Sequence, residues 1–205
     1  MNWFFWLGGA AALLGGGIGV RRVLYDQRIE AIAAATGVPR DVLAAFAVVE
    51  SRGNDAAVRF ECHRWNDRAA DRGLPTVPCT LGPGGWSVTR AQTDRAAAFR
   101  AISIDPRLAV ESSSWGRYQV MGYTVLSVTG WTPAQFLEYF EADPAAVSDE
   151  IVIGWFGQNP GAVRAAKRRD LLLLATLYNG PGQGEHYAGL MAEVLGRETN
   201  GDSRG

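Results

Sequence analysis

Prolines at the head of apolar runs and glycines at their tail punctuate this chain and favour short elements. Pro39, Pro106, Pro133 and Pro144 open stretches with helical spacing, and Gly37, Gly53 and Gly130 close others. Proline suits the first turn of a helix because its missing N–H would have no partner there. Glycine just past the end accepts the left-handed backbone that stops a helix. Punctuation of this kind predicts a scaffold of short helices joined by tight turns. The chain has 205 residues, of which 47% are hydrophobic and 20% charged, enough apolar material for one sizeable core. It shows no internal repeat and no long linker, so a second folded domain is not expected. A formal net charge of -1 gives no ground for a nucleic-acid partner.

The spacing of apolar residues places the elements. Helices are expected over Tyr25–Thr36, from Pro39 to just before Gly53, and over Thr89–Ile102, Pro106–Glu111 and Gly116–Val128. Others follow from Pro133, with Thr132 as its cap and Phe136, Leu137 and Phe140 inside, then over Pro144–Phe156, Asp170–Tyr178 and Gly184–Leu195. In AAVRFECHRW, Val58, Phe60 and Cys62 alternate with Arg59, Glu61 and His63, which is a strand pattern and supports one small β element. Gly73–Ser87, rich in proline and glycine, reads as a loop. The expected fold class is mainly α with a small β element.

One helix raises a chemical question. In PRDVLAAFAVVESRG, Val42, Phe46 and Glu50 recur every four residues, with Leu43 and Ala47 beside them. On a helix these positions share a face, so Glu50 is expected to point toward the core near the helix C-terminus. Burial and the negative end of the helix dipole both disfavour the charged carboxylate, and a carboxyl group that keeps its proton near neutral pH is what a general acid requires. The plainer reading puts Glu50 at the rim, paired with Arg52 or Arg59. Two further segments, SSSWGRYQVMG at 112–122 and LYNGPG at 177–182, also join helix ends to glycines and polar groups. They offer Ser114, Gln119, Tyr178 and Asn179 as walls for a polar ligand. Each alone is equally readable as a capping serine, a core tyrosine or a turn asparagine.

Cys62 and Cys79 are the two cysteines; they form either a bridge across the intervening loop or two free thiols. With His63 and His186 the only histidines, and no C-x-x-C motif, no metal site and no cofactor is expected. The first twenty residues, MNWFFWLGGAAALLGGGIGV, carry no charged side chain, and Arg21 and Arg22 follow them. A helix of that length just spans a bilayer core of roughly 30 Å, but six glycines weaken its apolar character. A permanent anchor, a cleaved signal, a releasable anchor and a helix packed on the domain all remain open. The positions of Arg21 and Arg22 favour a cytoplasmic domain, so topology stays open too.

Taken in order, Glu50-Ser51, then Ser-Trp-Gly-Arg-Tyr-Gln-Val-Met-Gly at 114–122, then Tyr-Asn-Gly-Pro-Gly at 178–182, resemble the lysozyme-like muramidase superfamily. Phe-Glu-Cys-His-Arg-Trp at 60–65 is similar to a segment of the phage N-acetylmuramidases, the peptidoglycan hydrolases found in many endolysins. The resemblance runs from about Ile29 to Leu195. It implies a two-lobed helical fold, with Glu50 as catalytic acid and Glu61 as a second carboxylate assisting water or stabilising the oxocarbenium ion. His63 would orient Glu61 or bind sugar, and Ser114, Gln119, Tyr178 and Asn179 would contact substrate. The partner implied is a peptidoglycan glycan strand, bound by a monomer. The expected organisation is a membrane-targeting segment at 1–22, a catalytic domain at 23–197 and a disordered tail at 198–205. Residues 1–20 would contact the membrane, with the enzyme membrane-associated or exported to the periplasm or cell wall. A lytic transglycosylase and a membrane-tethered glycan-binding protein without activity are the rival readings.

Overall fold

The computed structural model describes the backbone of residues 27–77 and 88–201, and the side chains of these except at 88–93 and 197–201. The expected segment at 1–22, Cys79, most of the expected loop at 73–87 and the last four residues lie outside the described residues. By its internal contacts the chain divides into two units, one formed by Met1–Gly53 with Trp155–Gly205, the other by Asn54–Gly154.

In the first unit α1 (Gln27–Thr36) packs on α2 (Arg40–Ser51). The helix expected to run from Pro39 is therefore present, with Pro39 as the residue before its first turn. Every side chain from Val42 to Val48 is at most 1% exposed, so α2 is buried on all sides and not on a single face. Alanines at 44, 45 and 47 are part of the reason: small side chains let neighbours approach all round, as in helices that are apolar over their whole surface. The helix stops at Arg52, which takes the left-handed conformation (φ 58°); its N–H donates to Val48 O, and that of Gly53 to Ala47 O. A non-glycine residue holds the left-handed turn, one position ahead of the glycine expected there. In the last third of the chain α8 (Pro144–Gln158) leads into α9 (Pro160–Lys167), α10 (Leu171–Asn179) and α11 (Gly184–Gly201). α11 packs on α10 and on α2, and α9 packs on α10. The short α9 has no counterpart in the sequence reading. Asp170, expected as the first residue of the next helix, is instead its cap and accepts from the Leu173 N–H. α11 continues to Gly201, beyond the expected end near Leu195.

The second unit is built on a three-stranded antiparallel sheet in the order β1 (Val58–Phe60), β2 (Ser113–Trp115), β3 (Val120–Met121). Phe60 pairs with Ser113, Val58 with Trp115, and Trp115 in turn with Val120. Here the sequence reading needs two corrections. The strand ends at Phe60, and Glu61 is the residue before α3 (Cys62–Ala70), so Cys62 and His63 are helical. The alternation that suggested a longer strand is carried instead by the first turn of a helix, a confusion that so short a run cannot resolve. The expected helix over Gly116–Val128 is a hairpin followed by α6 (Gly122–Thr129). Strands of three and two residues leave no period to detect; the pairing with β1, more than fifty positions away in sequence, creates them.

Around the sheet stand α4 (Val88–Ile102), α5 (Pro106–Glu111), α6 and α7 (Pro133–Ala142). Thr132 caps α7 as expected, in a reciprocal capping box with Gln135, and Phe136 and Phe140 are buried from that helix. Trp115 meets both rings edge-on, with centroids 4.9 and 5.2 Å away, and its Nε1 donates to Val110 O. Such edge-to-face pairs contribute about 0.5–1.5 kcal/mol each beyond the area they bury. Gly122 is required at the start of α6, because a Cβ there would lie 1.8 Å from Val110 O.

Among the described residues no single helix is long and apolar enough to cross a membrane. The pair α1 and α2 together meets that length and composition, but it is bent by 117° and α2 is core.

Candidate active site

In the first unit the end of α2 and the end of α10 come together. Glu50 Oε1 accepts a hydrogen bond from Asn179 Nδ2 at 3.4 Å, joining residues far apart in the chain. Glu50 is half-buried, not core-facing as the spacing predicts. It lies one turn beyond the fully buried Phe46, where the helix leaves the core, so its backbone is fixed while its carboxyl group keeps access to a ligand. The bond to Asn179 is long, near the limit for a useful contact, and an amide cannot neutralise a carboxylate. It orients the carboxyl group.

Tyr178 is the lateral support. Its ring meets Phe46 edge-on at 4.4 Å and Trp155 at 4.7 Å. Trp155 contacts Phe156 in the same way. Phe46 stands one helical turn before Glu50, and Tyr178 immediately precedes Asn179. The aromatic contact therefore fixes the register between the two helix ends that carry the Glu50–Asn179 pair. Phe46 and Trp155 have this role without being singled out in the sequence; the position of Phe46 one turn ahead of Glu50 was the available signal for the first.

In the second unit the remaining candidates gather on and beside the sheet. Glu61 follows β1 directly; its N–H donates to Ser112 O at 2.9 Å, which extends the β1–β2 pairing by one residue. Its side chain is 11% exposed and one carboxylate oxygen is 3.8 Å from His63 Nδ1, a distance that makes an ion pair when the imidazole is protonated but no direct hydrogen bond. His63 is exposed on the outer side of α3. Ser114 and Gln119 meet: the Ser114 hydroxyl donates to Gln119 Oε1 at 3.1 Å. Gln119 Nε2 donates to Gly116 O at 2.9 Å and to Ala57 O at 3.3 Å. Both ends of the amide are thus spent on the protein itself. Gln119 also has a left-handed backbone (φ 51°), uncommon without glycine. Its side chain locks the turn of the β2–β3 hairpin and ties it to β1.

A buried ion pair sits in the same place. Arg117, 3% exposed, donates from Nε and Nη2 to the two carboxylate oxygens of Asp55 at 2.8 and 3.1 Å. Ser148 Oγ accepts from the Arg117 N–H and donates to Asp55 O. Gly116, at φ 73°, makes room for that hydroxyl: a Cβ there would be 2.3 Å from it. The sequence motif that drew attention to Ser114 and Gln119 also contains Arg117, whose partner sixty-two positions upstream only the fold reveals.

Cys62, in the first turn of α3, is disulfide-bonded, and the chain's other cysteine, Cys79, lies outside the described residues. Among the described residues no cluster of three or more His, Cys, Asp or Glu side chains is placed to hold a metal ion.

A family model described as Muramidase, N-acetylmuramidase, matches residues 39–198, which include every site residue discussed above. Among solved structures the chain is similar to the crystal structure of Burkholderia AP3 phage endolysin, at 19% sequence identity and a TM-score of 0.63, over 86% of this chain and 70% of that one. At that identity the likeness is one of fold. No curated protein matches the chain.

Proposed function

We propose that this chain, which belongs to the N-acetylmuramidase family and is a peptidoglycan hydrolase, cleaves the β-1,4 bond between N-acetylmuramic acid and N-acetylglucosamine with Glu50 as general acid. The observation that carries the reading is the Glu50–Asn179 contact at the meeting of two helix ends, held by the Phe46–Tyr178–Trp155 ring cluster. A general acid must be fixed in direction and open to substrate, and a half-buried carboxyl group on a rigid helix end meets both needs. Glu50 protonates the bridging oxygen as the bond breaks, and Asn179 holds the carboxyl group in place for the transfer. Proton transfer of this kind typically contributes about 10²–10⁴-fold.

Glu61 is the second carboxylate of the reaction. Its backbone is fixed by pairing with β2, its side chain is mostly enclosed, and as an anion it stabilises the oxocarbenium-like transition state or activates the attacking water. His63 lies 3.8 Å from that carboxylate, near enough to help orient it. Ser114 and Gln119 serve the reaction by holding the hairpin, not by binding sugar, since their polar atoms are already engaged.

Mass spectrometry of the muropeptides released from purified cell walls tests the reading. Hydrolysis leaves reducing N-acetylmuramic acid ends. Products ending in 1,6-anhydro-muramic acid would identify a lytic transglycosylase and remove the role given to Glu61. Binding to the same walls without any released fragment would leave a glycan-binding protein.

A further inference from the structure

α10 carries Tyr178 and Asn179, yet most of its surface points elsewhere. Successive residues of a helix are rotated by about 100°. Leu174 and Ala175, both fully buried, therefore share the inward side with Tyr178, and Leu172, Leu173 and Leu177 occupy an arc opposite them. Those three leucines are 50%, 45% and 47% exposed. An outward helix face made of leucine is the reverse of what a helix at a water-facing surface normally shows.

The approach to this face is cationic. Arg164, Lys167, Arg168 and Arg169 are all exposed, within the seven positions before α10. Arg169 is held by Asp41, and Arg164 and Arg168 enter no ion pair among the described residues. The basic and apolar parts adjoin: a methyl group built on Gly161 would lie 3.8 Å from Leu177 Cδ1 and 3.9 Å from Arg164 Nη2.

We propose that Arg164, Arg168, Leu172, Leu173 and Leu177 form a docking surface for an anionic lipid bilayer. The guanidinium groups meet the headgroup phosphates, and the leucines enter the boundary between headgroups and acyl chains. The two kinds of side chain together decide the partner. A soluble anionic polymer would engage the arginines and leave the leucines in water. A second copy of the chain would cover the leucines while bringing the same cationic rim against itself. A bilayer with negative headgroups satisfies both. The proposal draws on none of residues 1–20 and does not depend on which glycosidic bond the enzyme cleaves.

The test uses the full chain carrying Leu173→Cys labelled with an environment-sensitive NBD dye, titrated with vesicles of phosphatidylcholine or of phosphatidylglycerol. The expected result is a blue-shifted, brighter emission on phosphatidylglycerol, a much weaker response on phosphatidylcholine, and reversal by salt. Arg164→Gln with Arg168→Gln should weaken the phosphatidylglycerol response by about twenty-five-fold, at roughly five-fold per charge. Leu172→Ser with Leu177→Ser should abolish the blue shift while circular dichroism shows the fold kept. The proposal is overturned by a dye that does not respond while the protein sediments with the vesicles, since another segment then makes the contact. It is equally overturned by the same response to lipid-free polyglutamate, or by a response that depends on protein concentration without lipid, which would mean self-association.

Discussion

The two regions that hold the candidate residues use polar side chains in opposite ways. Glu50 and Asn179 are half-buried at two helix ends and joined by a long hydrogen bond. Ser114, Gln119 and Arg117 are buried, and Asp55, 23% exposed, is tied to Arg117 by two hydrogen bonds. A half-buried polar group at a helix end can reach a ligand, whereas a buried one bonded to the protein acts first as scaffold, whatever motif it belongs to. Removing a residue from the first region should therefore cost activity and little stability. Removing one from the second should cost stability first.

The largest expected effect is that of Glu50→Gln, which keeps shape and the Asn179 contact. Release of fragments from purified walls should fall by about 10²–10⁴-fold while the thermal midpoint stays nearly unchanged. Full activity in this variant would end the assignment of the acid. Next comes Arg117→Met in the second region. It leaves the partly exposed Asp55 carboxylate without its bidentate partner, which costs about 3 kcal/mol, the low end of the range for breaking a buried pair from one side. Calorimetry should show a drop near 10 °C, at about 2–4 °C per kcal/mol. An unmoved midpoint would mean the pair is not structural.

Gln119→Ala sharpens the contrast further. Losing the hairpin lock should cost about 1–3 kcal/mol, and Gln119→Gly should recover part of it, about 1 kcal/mol, by relieving the left-handed backbone. If instead both variants keep the wild-type midpoint and lose binding to glycan fragments, Gln119 belongs with Glu50 as a substrate contact. Asn179→Ala should be milder in stability, within about 1 kcal/mol as expected for one long bond, and should lower turnover more than it changes apparent substrate affinity.

The smallest effect concerns pH. Burial alone would raise the Glu111 pKa, but hydrogen bonds from Arg107 and Arg68 and the charges of both outweigh it, so the carboxyl group titrates below its usual range. A group whose folded pKa is depressed contributes stability above its unfolded pKa, near about 4.3 for glutamate, and loses it as pH falls through the folded value. The link Glu111 makes between α3 and α5 should thus weaken only in acid. Glu111→Gln should flatten the acid limb of the stability profile and leave stability at neutral pH lower by a small, measurable amount. An unchanged acid limb would remove Glu111 from that account.

How legible the site was depended on the range of the interactions that make it. Glu50 stood out because its helix is local: Pro39 before it, the left-handed turn after it and the four-residue spacing all act within one segment. Even so, Glu50 is less buried than the spacing predicts. Whether the last turn of a helix is covered depends on which helices pack over it, here α10 and α11, and not on its own pattern. Asn179 and Tyr178 were visible as polar residues ending an apolar run, but their meeting with Glu50 and Phe46 spans the greater part of the chain. The hairpin reads as helix in the sequence because its strands exist only through pairing with β1, and the Arg117–Asp55 pair is invisible there for the same reason.

Composition and short-range order were thus enough to settle the helical character, the capping of α7 by Thr132 and the place of Glu50 at a helix end. Those follow from backbone geometry and from hydrogen bonds that close within a few residues. Tertiary structure alone decided which polar residues are buried and which are half-buried, and so set Ser114 and Gln119 apart from Glu50 and Asn179. That distinction rests on desolvation and on partners distant in sequence, neither of which a local pattern encodes.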